Sequence, residues 1–315
     1  MFITKSHKKY DTDIMMNDIS VHSGVPKQYY YLKSKQFNDW EIPPWELFIF
    51  TNKLLGEGSF SKVYLAKWRE TFVVAKVINN EFLDAKKFLI EREIDIMSKL
   101  HHPNIVQFLG YIDNPFIIVM EYIPNGNLAS KIPLLNKQQK VRIMFDILRG
   151  LAYLHERLPN SLIHRDIKPT NIILTKSNFA KITDFGLSKF YSIEKTISTN
   201  DISKLEQNKR GNEYLELTDV VGTERYMSPE MISNLNSYSQ DSNNQDKYTN
   251  KIDIYSTGIL LYEMFENKKY IPGQKMTWYW CPKKIKNVII NYMLNNNPNE
   301  RWSALNILKQ LNRII

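Results

Sequence analysis

At 315 residues with 43% hydrophobic side chains, the chain can form one large domain or two modest ones around a real core. Apolar runs such as Phe116–Met120 and Ile259–Phe265 fall far short of the roughly 20 residues of a membrane span, so none is expected. The formal net charge of +9 comes from lysines read as scattered among Asp and Glu, without a basic helix or zinc-ligand spacing, so no nucleic-acid partner is expected.

The single cysteine, Cys281, rules out an internal disulfide and fits a reducing compartment. The start, MFITKSHKKYDTD, lacks an apolar signal core, so the chain is expected inside the cell, in the cytoplasm. Residues 1–45 read as a largely irregular extension carrying the cluster Tyr29-Tyr30-Tyr31. From Phe48 the pattern becomes strand, turn, strand: Ile49 to Leu55, the run Gly56-Glu57-Gly58-Ser59-Phe60-Ser61, then Lys62 to Trp68. Gly56 and Gly58 let backbone amides approach phosphate oxygens, and Val63 offers an apolar lid for a flat base; a plain hairpin turn is the alternative. Phe72 to Val77 is β-rich with one cation, Lys76, which a buried strand tolerates only in anionic company.

Asp84 to Leu100 has helical spacing and offers Glu91 and Glu93, both of which alone would read as a solvated face. His102–Val106 and Phe116–Tyr122 read as a turn followed by buried strands, and Pro124-Asn125-Gly126 as a hinge between two lobes. Gln138 to Arg157 is a core helix without chemistry. It leads to His164-Arg165-Asp166-Ile167-Lys168-Pro169-Thr170-Asn171, a compact polar set between apolar runs ending at Ile163 and starting at Ile172. Such a loop can hold a base, a phosphate partner and a metal ligand together. Asp184-Phe185-Gly186 follows, then a long polar stretch to Gly222 that includes Ser188, Tyr191, Ser192, Thr196, Ser198, Thr199, Ser203, Tyr214 and Thr218. A segment so poor in apolar anchors is expected to be mobile until something neutralises it.

In this order the pieces resemble the protein kinase family over residues 49 to 313, and Trp40-Glu41-Ile42 with Pro43-Pro44-Trp45 resembles the lead-in of tyrosine-kinase-like kinases. The resemblance implies an α+β, bilobal fold: a small β-rich N-lobe over 46–123 and a larger, mainly α-helical C-lobe over 124–315. It implies ATP-dependent transfer of the γ-phosphate to Ser/Thr hydroxyls of a protein substrate, with Mg²⁺ as cofactor and an activating kinase as a further partner. A catalytically silent nucleotide-binding scaffold, a dual-specificity or tyrosine kinase and a small-molecule phosphotransferase are the alternatives.

By this resemblance Lys76 holds the α- and β-phosphates and pairs with Glu93, Glu91 being second choice. Met120 guards the back of the base pocket, the backbone of Glu121 to Ile123 bonds the base, and Leu55, Gly56, Gly58, Val63 and Ile173 complete the nucleotide contacts. Phosphoryl transfer needs a proton acceptor, an aligned hydroxyl, a neutralised γ-phosphate and metal ions. Asp166 fits the first two, Lys168 the third, and Asn171 and Asp184 offer hard oxygen ligands for Mg²⁺. Lys168 and Thr223 resemble the Ser/Thr pattern. Arg165 is expected to bind a phosphate on the long polar segment, with Asp219 as a built-in negative charge or a solvated residue.

The sequence departs from the family at Ser61, where a third glycine is usual, and at Val74, with the alanine displaced to Ala75. Ser228-Pro229-Glu230 stands for Ala-Pro-Glu and is followed by a Ser/Asn/Gln-rich insertion, Ser233 to Asp246, read as a surface loop. Asp253 is expected to be a buried acid bonding the catalytic loop's backbone, and Arg301 to pair with Glu230. Tyr270 to Cys281 shows little helical pattern, which predicts a trimmed helix or a loop.

Overall fold

A computed structural model of the protein describes residues 38–58, 61–79, 83–158, 160–192, 224–236 and 249–315. They fall into two compact units. One takes the described residues up to His101 together with Gln107–Tyr122; the other takes His102–Val106 and Ile123–Ile315.

The first unit is built on β1 (Leu47–Glu57), β2 (Ser61–Trp68), β3 (Thr71–Ile78), β4 (Phe108–Ile112) and β5 (Ile117–Glu121), paired antiparallel in the order β1-β2-β3-β5-β4. β-branched and aromatic side chains recur along these runs, which suits a pleated, half-buried surface. In β3, Val73 and Ala75 are buried whereas Val74 and Lys76 are half-buried, because successive side chains leave opposite faces of a strand. One face carries the core, where Ala66, Val73, Ala75, Ile117 and Val119 join Ile42, Leu47 and Ile112. The other face is fixed by register: Gly56 lies opposite Val63, Val63 opposite Lys76, and Val74 opposite Met120. Helix α1 (Leu83–Ser98) supplies Glu93 to Lys76.

The residues just before β1 are seated on the sheet. Ile42 N–H donates to the Tyr111 carbonyl at 2.8 Å, and Glu41 forms a parallel bridge with Tyr111, so an otherwise open edge at β4 is covered. Trp40 packs on Phe108 at 5.3 Å. Gly110 makes this approach possible: a Cβ there would stand 2.5 Å from the Trp40 carbonyl oxygen and 2.8 Å from the Ile42 side chain. Residues 1–37, with the tyrosine cluster, lie outside the described residues.

The second unit is mainly helical: α2 (Leu128–Lys131), α3 (Lys137–His155), α4 (Pro229–Asn236), α5 (Lys251–Glu266), α6 (Lys283–Val288) and α7 (Ala304–Ile314). Helix α3 starts in a capping box between Asn136 and Gln139 and buries Ile143, Met144, Ile147, Leu148, Leu151 and Leu154 at helical spacing. Helix α5 is apolar nearly all round, and from Ile252 to Glu266 it is buried except at Tyr255. Two short ladders complete the unit: β6 (Asn160–Ile163) with β9 (Lys189–Ser192), and β7 (Ile172–Leu174) with β8 (Ala180–Ile182). This division into a smaller β-rich and a larger helical part is the expected α+β arrangement.

His102–Val106, read as part of the 46–123 lobe, groups with the second unit because it adds to β8. Val106 N–H donates to the Ile182 carbonyl at 2.9 Å, and Asn104 Nδ2 to the Ala180 carbonyl at 2.9 Å. Of the insertion read as a loop from Ser233, the residues to Asn236 continue α4, and 237–248 lie outside the described residues. No helix spans Asn267–Pro282, which agrees with the poor helical pattern there.

Candidate active site

Ile172 stands opposite Ile182 in the β7–β8 ladder, so the residue before one strand neighbours the residue after the other: Thr183 N–H donates to the Asn171 carbonyl at 3.0 Å. The hairpin thereby brings Asn171 and Asp184 to one end. Ile163 stands opposite Lys189 in the β6–β9 ladder, which closes His164 to Ser188 into one loop. Asp166, Lys168, Asn171 and Asp184 all lie in it.

Within the loop, Asp166 Oδ2 accepts from Asn171 Nδ2 at 2.7 Å and pairs with Lys168 Nζ at 2.7 Å. The same Asn171 nitrogen reaches the Asp166 carbonyl at 2.9 Å, so the amide's donor side is committed and its oxygen is left as a hard donor atom. Asp166 Oδ1 is buried with no hydrogen-bond partner among the described residues. Asp184 adopts a left-handed backbone, φ 67°, which short polar residues tolerate better than most.

His164 is fully buried beneath this set. Its Nδ1 accepts the Asp166 backbone N–H at 3.2 Å and its Nε2 faces the Thr183 carbonyl at 3.0 Å, which fixes the neutral tautomer with the proton on Nε2. Arg165 also has a left-handed backbone, φ 69°, costly for a long side chain. Asp253 of α5 holds it there: its carboxylate accepts the backbone N–H groups of His164 and Arg165, each at 2.8 Å, and faces His155 Nε2 at 2.9 Å. Burial alone would push the Asp253 carboxyl up; the bond and charge of His155, with the bond from the His164 backbone N–H, outweigh it and hold it below its ordinary range. The Arg165 side chain donates from Nε to the Leu187 carbonyl at 2.6 Å. Asp219, Thr223 and the segment from Ile193 lie outside the described residues; Ser188 is buried, and Tyr191 and Ser192 belong to β9.

In the first unit, Lys76 Nζ meets Glu93 Oε1 at 2.7 Å with both side chains largely buried, at 14% and 8% exposure, whereas Glu91 faces solvent. Gly56, Val63 and Met120 share the Lys76 face of the sheet; Leu55 and Gly58 are exposed. A Cβ on Gly56 would meet nothing closer than Val63 at 4.0 Å, and one on Gly58 nothing closer than Ser61 at 3.8 Å, so the fold itself does not require glycine at either place. The Glu121 carboxylate is turned to the Gln107 backbone N–H at 2.7 Å. Ile123 and Ile173 belong to the second unit, Ile123 buried and Ile173 half-buried beside Asn127.

A protein kinase domain model matches residues 50–311. The chain belongs to the protein kinase family. It is 32% identical over 300 residues to the serine/threonine-protein kinase VIK of Arabidopsis thaliana, covering 88% of this chain and 62% of that protein. It is 31% identical over 246 residues to serine/threonine-protein kinase 12 of the same plant (75% of this chain, 46% of that one). It is also 31% identical over 260 residues to the plant's calmodulin-binding receptor-like cytoplasmic kinase 3 (78% and 46%). The kinase thus spans between about half and two thirds of the length of these relatives.

The structure adds groups around the loop that no sequence motif marks. The Tyr226 hydroxyl donates to buried Glu263 at 2.7 Å, and burial with that bond pushes the phenol's pKa up. Tyr226 also helps line a small recess, with room for little more than a water molecule, bounded by Arg165, Asp166, Ile167, Met227, Met231 and Ser256. An acid inside the apolar run of α5 was the available signal for Glu263, because a buried carboxylate must have partners.

Proposed function

We propose that this kinase transfers the γ-phosphate of ATP to Ser or Thr hydroxyls of protein substrates, with Mg²⁺. The observation that carries the reading is the state of Asp166: Oδ2 is held by Lys168 and Asn171, while the buried Oδ1 has no partner among the described residues and the side chain borders the recess. A hydroxyl entering the recess would give its proton to Asp166 as its oxygen bonds to phosphorus, and the bond to the bridging oxygen of the departing ADP would break. Lys168 would neutralise charge on the transferred group, and Lys76, kept oriented by Glu93, would hold the α- and β-phosphates.

The donor set fits the metal. The Asn171 amide oxygen and the Asp184 carboxylate are hard oxygen donors at one end of a hairpin, the number and kind that Mg²⁺ takes alongside phosphates and water. When bound, the ion would offset charge across the β- and γ-phosphates. Gly56 and Gly58, which the fold does not need as glycine, are free to serve close approach to phosphates. Lys168, two residues after Asp166, and the names of the relatives as serine/threonine-protein kinases favour Ser/Thr acceptors. Incubation with Mg-ATP followed by phosphosite mapping tests this: phosphoserine and phosphothreonine should dominate. Phosphotyrosine alone would overturn the acceptor assignment, and nucleotide binding without any transfer would leave a silent scaffold.

A further inference from the structure

From Asn267 to Asn299 the chain has Lys268, Lys269, Lys275, Lys283, Lys284 and Lys286 and no Asp, Glu or Arg, so this stretch carries six of the formal nine excess positive charges. The lysines of the kinase are therefore not evenly scattered. Lys268, Lys269, Lys275, Lys283 and Lys284 are exposed. Lys137 and Lys140, at the start of α3, add to the same neighbourhood: Lys137 acts electrostatically on Cys281, and Lys140 on Glu266.

Amid these cations, Tyr279 and Trp280 are 78% and 74% exposed, and Ile271 is 49% exposed. The rings do not sit on a loose loop. Glu266, the buried last residue of α5, accepts the backbone N–H groups of Tyr279 at 2.7 Å, Trp280 at 3.1 Å and Cys281 at 2.9 Å. Trp278, just before them, packs edge-on against Tyr262 of α5 at 4.9 Å. The carboxylate holds the loop's backbone from beneath, so the two rings are presented outward on a backbone that is already ordered when something meets them.

We propose that this loop docks the kinase on an anionic lipid bilayer, with Tyr279 and Trp280 entering the headgroup layer and the surrounding lysines meeting lipid phosphates and carboxylates. Indole and phenol, apolar bodies with one polar tip, favour that depth. Lysines clustered beside them favour a negatively charged leaflet. Charge of one sign over the whole stretch suits a laterally uniform anionic surface better than a protein interface, in which lysine is depleted. No helix among the described residues is long and apolar enough to cross a membrane, and the proposed contact needs none.

Flotation of the purified chain with vesicles is the test. Binding to phosphatidylcholine vesicles carrying about 30 mol % phosphatidylserine should exceed binding to phosphatidylcholine alone by more than tenfold and fall in about 0.5 M salt. Tyr279→Ser with Trp280→Ser, and separately Lys268→Ala with Lys269→Ala and Lys275→Ala, should each weaken it by at least tenfold. The control for an intact loop is Cys281, whose thiol burial and the Glu266 charge push up to about 12, so it should resist alkylation at pH 8 in every variant and react once the protein is unfolded. Equal binding to neutral vesicles, no binding to anionic ones, or binding that neither set of variants weakens would overturn the proposal. So would competition in which poly-glutamate or single-stranded DNA strips the protein from vesicles at equal charge, which would make the loop a site for an acidic polymer instead.

Discussion

Asp253 accepts from two backbone N–H groups and a histidine while fully enclosed, so one substitution strips partners from His164, Arg165 and His155 together. Asp253→Ala should cost about 3–5 kcal/mol in urea unfolding, because it leaves buried donors unmet and a left-handed Arg165 without its support. The pH dependence follows from the lowered carboxyl. Its contribution is complete above the ordinary value of 3.8 and is lost as pH falls through the lower folded value. The gap in unfolding midpoint between wild type and Asp253→Asn should therefore hold steady from neutral pH downward and narrow only below about 3.8; a gap that closes well above that pH would contradict this. Asp166, Lys168 and Asn171 stand out in the sequence as candidates because hard oxygens and a cation in one short loop mean something chemically wherever they fall. His164 does not: the importance of its ring lies in two bonds to backbone atoms, which no spacing announces.

At the scale of the element, strand and helix positions followed from period 2 and period 3.6, and the structure extends several of them by only a residue or two. What patterning could not show is why Gly110 is glycine, since the reason is another segment's backbone. Gly110→Ala drives a methyl group into the Trp40 carbonyl and Ile42, and should cost about 1–3 kcal/mol. Hydrogen exchange should locate the damage, with the Ile42 amide, bonded to Tyr111, losing protection before the amides of β2 and β3. Equal loss across the sheet would mean that the lead-in is not a separate attachment. Helix α4 shows the opposite limit: a polar composition suggested loop from Ser233, yet the helix begun at Pro229 runs on to Asn236.

At the scale of the molecule, α5 organises the helical unit. Along one apolar rod, Asp253 holds the loop at His164 and Arg165, Ser256 donates to the Tyr226 carbonyl at 2.7 Å, Glu263 receives Tyr226, and Glu266 holds the loop at Tyr279 to Cys281. Arg301 adds a long-range tie. Its guanidinium is fully buried and places all its N–H groups, two on Glu230 at 2.6 and 2.8 Å and the others on the carbonyls of Asn295, Lys251 and Asn296. Glu230→Ala strands that charge and should cost about 3–5 kcal/mol, lowering the thermal midpoint; an exposed pair would cost under about 1 kcal/mol. The Glu230 and Arg301 pairing was implied by family resemblance, whereas Glu263 and Glu266 required the structure, because their partners, the Tyr226 hydroxyl and the backbone from Tyr279 to Cys281, lie in segments without a pattern.

The claim that matters most is that Asp166 takes the proton of the acceptor hydroxyl. The direct measurement is the single-turnover rate of phosphate transfer from saturating Mg-ATP to a protein acceptor, for wild type and Asp166→Asn, with nucleotide affinity measured alongside. The account predicts a rate lowered by at least about 100-fold with nucleotide affinity kept, in line with the usual contribution of a positioned base. A variant that transfers phosphate at the wild-type rate would contradict it.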